Sequence, residues 1–184
     1  MDKVVISILG RDRPGIVGAV SRILLDRGCN IEDVTQTSLQ AEFAGIFIAS
    51  MPDNLAPSTL LAALKAGLAP FGVDVLVKRL ERRPAHSSPS SAEPFVITTM
   101  GPDRMGLVAG VTEVMARFGV NITNMKAVFR GGTDPFRNIM IYEVDVDRQI
   151  DHAAFRTALR ERAQELDLDI TIQHRRIFEA INRV

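Results

Sequence analysis

Short β-branched runs alternate along this chain with apolar residues at helical spacing, and the whole succession occurs twice. Residues 4–9 (Val4-Val5-Ile6-Ser7-Ile8-Leu9) and 95–100 (Phe95-Val96-Ile97-Thr98-Thr99-Met100) are short, apolar and closed by a glycine, which predicts buried strands. Behind each glycine, Ile16, Val17, Val20, Ile23 and Leu24, and later Leu107, Val108, Val111, Val114 and Met115, form one apolar helix face. Pro14 suits the first turn of such a helix, and Gly28 and Gly119 fall just past its end, where a left-handed stop favours glycine. Two further strands are predicted in each half, over 30–39 and 43–51 and over 121–130 and 137–146. A second helix follows over 57–70, carried by Leu60, Leu61, Leu64 and Leu68, and over 151–166, carried by Phe155, Leu159, Ala163 and Leu166. Each half closes on a run that alternates with period two, 73–77 and 168–172. The order β-α-β-β-α-β predicts an α+β fold: two ferredoxin-like domains, each a four-stranded antiparallel sheet with both helices on one face.

The duplication is explicit at the strand-to-helix loops. Gly10-Arg11-Asp12-Arg13-Pro14-Gly15 is matched 91 residues later by Gly101-Pro102-Asp103-Arg104-Met105-Gly106. The match continues without a gap through Val17 and Val108, Val20 and Val111, Gly28 and Gly119, Asn30 and Asn121, and Ile31 and Ile122. A period this long exceeds any solenoid unit and marks a duplicated domain. Residues 1–81 form the first domain, residues 82–94, rich in proline and serine, the linker, and residues 95–184 the second domain with a short tail. The second copy inserts turn residues at 131–135, and the tail at 178–184 is expected to form a helical turn.

Composition narrows the function classes. Lysine plus arginine equals aspartate plus glutamate at 22 each, so no basic field is available for direct contact with nucleic acid. Hydrophobic residues at 46% suffice for a core in each half. Cys29 stands alone, which rules out an internal disulfide or a cysteine-built metal site; it reads as a small buried hydrophobe. The chain starts in an apolar run too short to span a bilayer and without a leader pattern, so a cytoplasmic protein with no membrane partner is expected. His86, His152 and His174 do not share metal-ligand or general-base spacing, and the loops lack the phosphate-binding glycine motifs. No catalytic residue, metal site or cofactor is expected. The basic clusters at Arg79, Arg82 and Arg83 and at Arg175 and Arg176 read as solvated strand ends.

The loops carry the candidate chemistry. A helix N-terminus leaves unpaired N–H groups and a favourable dipole for an anion, and glycines there let a ligand approach the backbone. Asp12 and Asp103 would add a partner for an ammonium group, a combination that fits an α-amino acid better than a phosphate. The plainer role for both aspartates is helix N-capping. Asn30 and Asn121 either reach the ligand from an opposite wall or satisfy their own backbone as the chain leaves the helix. Arg13 and Arg104 fit exposed or interface positions as readily as ligand contacts.

With the repeated strand, the G-x-D-R-x-G loop and the G-x-N-I exit, the chain resembles the ACT domain family over nearly its whole length apart from linker and tail. The resemblance implies a non-enzymatic, amino-acid-sensing regulator, and the tandem layout is similar to that of family members that modulate transcription through a protein partner. It also implies ligand contacts at Arg11, Asp12, Arg13, Pro14, Gly15 and Asn30 in the first copy and at Pro102, Asp103, Arg104, Met105, Gly106 and Asn121 in the second. Members that sense serine use a histidine and an asparagine in this loop; here the places are taken by Gly10 or Gly101 and by Asp12 or Asp103. Glycine is the first candidate ligand. Exposed edge strands predict a homodimer with joined sheets. Pro14 and Arg11, against Met105 and Pro102, favour the first copy as the working site. The alternatives are an ACT scaffold without ligand binding and a small-molecule enzyme.

Overall fold

The computed structural model describes residues 2–81, 92–129 and 138–177. The chain divides into two compact units, Met1–Pro84 and Ala85–Val184. In the first, β1 (Asp2–Arg11), α1 (Ile16–Asp26), β2 (Asn30–Leu39), β3 (Glu42–Met51), α2 (Pro57–Leu68) and β4 (Asp74–Arg79) follow in order, with a 3-10 turn at Ala69–Phe71. The second repeats the order with β5 (Ala92–Gly101), α3 (Leu107–Arg117), β6 (Asn121–Phe129), β7 (Asn138–Asp147), α4 (His152–Glu165) and β8 (Asp169–His174). The sheets run β2-β3-β1-β4 and β6-β7-β5-β8, all neighbours antiparallel. These are two ferredoxin-like domains, as the periodicities predict.

Burial explains why the patterns fold this way. On α1, Ile16, Val20 and Leu24 recur at a spacing of four and are fully covered by the sheet, while Val17 stays partly exposed. On α2, Leu60, Leu64 and Leu68 do the same, and on α4 Phe155, Leu159 and Ala163. The sheets supply Val4, Ile6, Ile8, Phe43 and Phe47 to one core and Phe95, Ile97, Met140, Tyr142 and Val144 to the other. Cys29 is buried in the first core, where desolvation raises its thiol pKa and keeps it an inert hydrophobe.

Several boundaries differ from the sequence reading. Ala92, Glu93 and Pro94, expected in the linker, open β5, because antiparallel pairing with Asp147, Val146 and Asp145 extends the strand beyond its apolar run. Pro14 lies in the turn before α1 rather than in its first turn. The rest of the linker, His86, Arg82 and Arg83, the insertion at 131–135, Arg130, Arg137 and the tail at 178–184 lie outside the described residues.

Tyr142 gives the second core a pH dependence. Its ring is fully buried, its hydroxyl donates to Met140 Sδ at 3.2 Å, and desolvation pushes its pKa up to about 12. Below pH ~10 the phenol is neutral folded and unfolded, so it adds no pH dependence. Between pH ~10 and ~12 the unfolded chain releases this proton and the folded one does not, so stability falls with rising pH. Urea unfolding should show Tyr142→Phe overtaking the wild type by about 2 kcal/mol at pH ~12 and differing little at neutral pH.

Candidate functional site

In both domains the glycine preceding the first helix is its N-cap. Gly15 and Gly106 adopt left-handed conformations, φ +100° and +88°, and no side chain caps either helix. The expected capping by Asp12 and Asp103 is therefore corrected: the turn inserts further residues, which carries both carboxylates away from the helix start. Both aspartates are exposed, and among the described residues their carboxylates make no hydrogen bond or ion pair. Each loop thus pairs an uncapped helix N-terminus with a free carboxylate, the two charge signs that a zwitterion requires.

The first glycine of each phrase has a different use from the one expected. A Cβ on Gly10 would stand 3.0 Å from Val73 Cα and 3.3 Å from the Gly72 carbonyl oxygen. One on Gly101 would stand 2.6 Å from Leu168 Cδ2 and 2.8 Å from the Asp167 carbonyl oxygen. Both glycines let the chain entering the last strand cross close to the end of the first. Close packing within the domain, rather than room for a ligand, accounts for them.

The loops are braced differently. In the first, the Asp12 N–H donates to the Ala41 carbonyl at 2.7 Å, in a β2–β3 turn where Gln40 and Ala41 both hold positive φ, 59° and 112°. That conformation suits Asn-Gly and is strained for these residues. Arg11 ends β1 opposite Glu42, and Arg13, Pro14 and Gly15 are exposed. In the second loop the Arg104 guanidinium donates to the Leu166 carbonyl and lies 3.7 Å from Asp167 Oδ2. Arg104 is thus a brace between loop and the α4–β8 corner. Asp103 and Met105 are exposed; Pro102 joins Met100, Gly101, Gln164, Asp167, Leu168 and Asp169 around an open depression of about 490 Å³.

Asn30 and Asn121 do not meet the loops of their own domains. Asn30 pairs with Ser50, which pairs with Lys3, so it stands at the opposite end of the sheet from Gly10. Asn121 pairs with Asp145 and hence with Pro94, again at the far end from Gly101. An extended strand covers about 23 Å over those intervals. A pocket shared by loop and asparagine requires a neighbouring module.

Two residues that the sequence reading passed over stand beside the second loop. Asn138 pairs with Gly101 at the start of β7, and Thr99 lies two residues back on β5. Both are buried, and Thr99 Oγ1, Asn138 Oδ1 and Asn138 Nδ2 have no hydrogen-bond partner. Each such group costs about 1–3 kcal/mol. The signal was available: Asn138 and Thr99 break the apolar alternation at positions that align with Phe43 and Ile8. Of the expected basic clusters, Arg79 pairs with Asp2 at 3.1 Å and Arg175 with Glu143 at 3.0 Å. His152 and His174, remote in sequence, flank the Phe95 ring at 6.0 and 5.4 Å. Among the described residues no cluster of ligating side chains could hold a metal, and no helix is long and apolar enough to cross a membrane.

Twice-repeated βαββαβ units with paired strand-to-helix loops define a tandem ferredoxin-like protein. The chain belongs to the ACT domain family, whose model matches residues 2–78 and again 93–173. A relative, the UPF0237 protein of Methanosarcina acetivorans, is 34% identical over 90 residues, which take in 49% of this chain and 95% of the relative. Among solved structures, an unknown protein from Galdieria sulphuraria shares the fold over 94% of this chain and 98% of its own, at a TM-score of 0.76 and 24% identity. A candidate glycine cleavage system transcriptional repressor does so over 94% and 96%, at a TM-score of 0.65 and 20% identity.

Proposed function

We propose that this chain is a non-enzymatic regulator that binds a small amino acid at its strand-to-helix loops and passes the occupied state to a protein partner. The observation that carries the reading is the pairing, in each loop, of an uncapped helix N-terminus with an exposed, unengaged aspartate. The N–H groups suit a carboxylate and the aspartate an ammonium group. Glycine is the first ligand to test, and transcriptional control the first context, since the two-domain architecture is shared with the candidate glycine cleavage repressor. Binding shifts the regulator only in so far as the ligand prefers one arrangement of the modules over another. The far placement of Asn30 and Asn121 favours sites completed by a neighbouring module, and the exposed edge strand β2 offers a route to a homodimer.

Calorimetric titration with glycine and the other common amino acids tests this. One of them should bind and raise the melting temperature, and Asp12→Ala together with Asp103→Ala should weaken that binding at least tenfold without lowering ligand-free stability, since neither caps a helix. Absence of heat and of any melting shift across the set, with a protein partner still captured, would leave an ACT scaffold in place of a sensor.

A further inference from the structure

One layer of the core differs in chemical kind between the domains. On the helix-facing side of the first sheet, beside the repeated glycine, stand Ile8 on β1 and Phe43 on β3, both buried. The matched positions in the second sheet hold Thr99 on β5 and Asn138 on β7, exposed by only 0% and 1%. The registers agree: Phe43 pairs with Gly10 and Asn138 with Gly101. An apolar seal in one copy is therefore a polar pair in the other.

The polar pair has unused capacity. Among the described residues, Thr99 Oγ1, Asn138 Oδ1 and Asn138 Nδ2 are all without a hydrogen-bond partner. As diagonal neighbours on one face of the sheet, the two side chains stand within about 7 Å of each other. α3 follows the end of β5, where Gly101 pairs with Asn138, and crosses the sheet face that carries Asn138 and Thr99 to reach β6. The first turn of α3 starts at Gly106 with no side-chain cap, and a depression of about 470 Å³ lined by Arg104, Gly106, Leu107, Val108 and Ala109 opens over it. Asn138 and Thr99 lie beneath the surface at this corner of the domain, exposed by no more than 1%.

We propose that the second domain is the ligand-binding copy, with Asn138 and Thr99 as a buried polar floor beneath the α3 N-terminus for the polar groups of a small α-amino acid. This rests on the amino-acid-binding reading above and adds which copy binds and through which residues. Asn138 Oδ1 accepts from the ligand ammonium, for which Asp103 of the loop supplies the opposite charge; Asn138 Nδ2 and the Thr99 hydroxyl donate to its carboxylate together with the helix N–H groups. Reaching the floor requires a shift of the 102–105 loop, in which Asp103 and Met105 lie exposed and Arg104 must release the Leu166 carbonyl and Asp167. The first domain, sealed by Ile8 and Phe43, serves assembly. Loop composition points to the first copy; the core beneath it points to the second.

The test is calorimetric titration of the full chain with glycine, L-alanine and L-serine, alongside the near-isosteric variants Asn138→Leu and Thr99→Val. The wild type should bind at least one of the three at one per chain. Each variant should keep the wild-type circular dichroism, melt at an equal or higher temperature because an unmet polar group has gone, and lose at least tenfold in affinity. Ile8→Val, at the matched position of the first domain, should bind as the wild type does. A wild type that binds none of the probes removes the amino-acid reading as a whole. Wild-type affinity in a folded Asn138→Leu chain, or two equal ligands per chain, overturns the buried floor alone and leaves the pair a structural feature. Should Asn138→Leu fail to fold, Thr99→Val decides by the same measure.

Discussion

Gly101→Ala should destabilise the second domain by about 3 kcal/mol, at the upper end of what overpacking costs. The added methyl meets Leu168 Cδ2 at 2.6 Å, which a rotamer change can relieve, but also the Asp167 carbonyl oxygen at 2.8 Å, which it cannot. That carbonyl belongs to a residue already held at φ +55°, where a non-glycine backbone has little freedom to retreat. Separating β5 from the start of β8 would disturb a strand paired from Phe95 to Met100. In a domain of this size the loss corresponds to a melting shift of roughly 12–24 °C. Gly106→Ala, which meets nothing within 4 Å but holds φ +88°, should cost only about 1–2 kcal/mol. Urea unfolding of the two variants compares them directly. If Gly101→Ala costs no more than Gly106→Ala, the close approach does not explain this glycine, and ligand access becomes its better explanation.

Phe43→Asn should cost the first domain about 4 kcal/mol or more. Phe43 is 2% exposed and lies against the bare backbone of Gly45, where a Cβ would come within 2.8 Å of its ring. Truncating a buried phenylalanine costs about 3–5 kcal/mol through lost transfer energy and the cavity left behind. The amide that replaces the ring would find Ile8 beside it where the second domain has Thr99. Total stability of a small domain is roughly 5–15 kcal/mol, so the variant should populate unfolded forms measurably. Chemical denaturation followed by circular dichroism reads the effect. A loss below about 1.5 kcal/mol would mean that this layer tolerates an asparagine freely, and the contrast with Asn138 would then carry no functional weight.

Local chemistry made much of the fold legible. The apolar spacing of Ile16, Val20 and Leu24, and of Leu60, Leu64 and Leu68, depends only on the helical repeat, and the structure buries those residues. Gly28 and Gly119 were readable as helix stops because a left-handed residue has few alternatives, and both hold positive φ. The candidate site was less legible. Aspartate before a helix pattern suggests a cap, but where a helix begins is settled by the loop's path, here through a left-handed glycine. The loop glycines looked available to a ligand because Val73 and Leu168, which crowd Gly10 and Gly101, lie far along the chain. Asn138 and Thr99 break the apolar alternation in the sequence, but each alone is an ordinary strand residue, and the break gains meaning only with their burial without partners.

By itself the sequence determined that this protein is a doubled βαββαβ chain of the ACT family, because periodicity, turn glycines and repetition are properties of neighbours along the chain. The tertiary structure decided which residues share a place. The registers of the two sheets place Asn30 and Asn121 at the ends away from the strand-to-helix loops of their own domains, and bring Asn138 beside Gly101. Strand pairing couples residues by register rather than by separation along the chain, so the polar floor of the second domain and the apolar seal of the first emerge only when the sheets are formed.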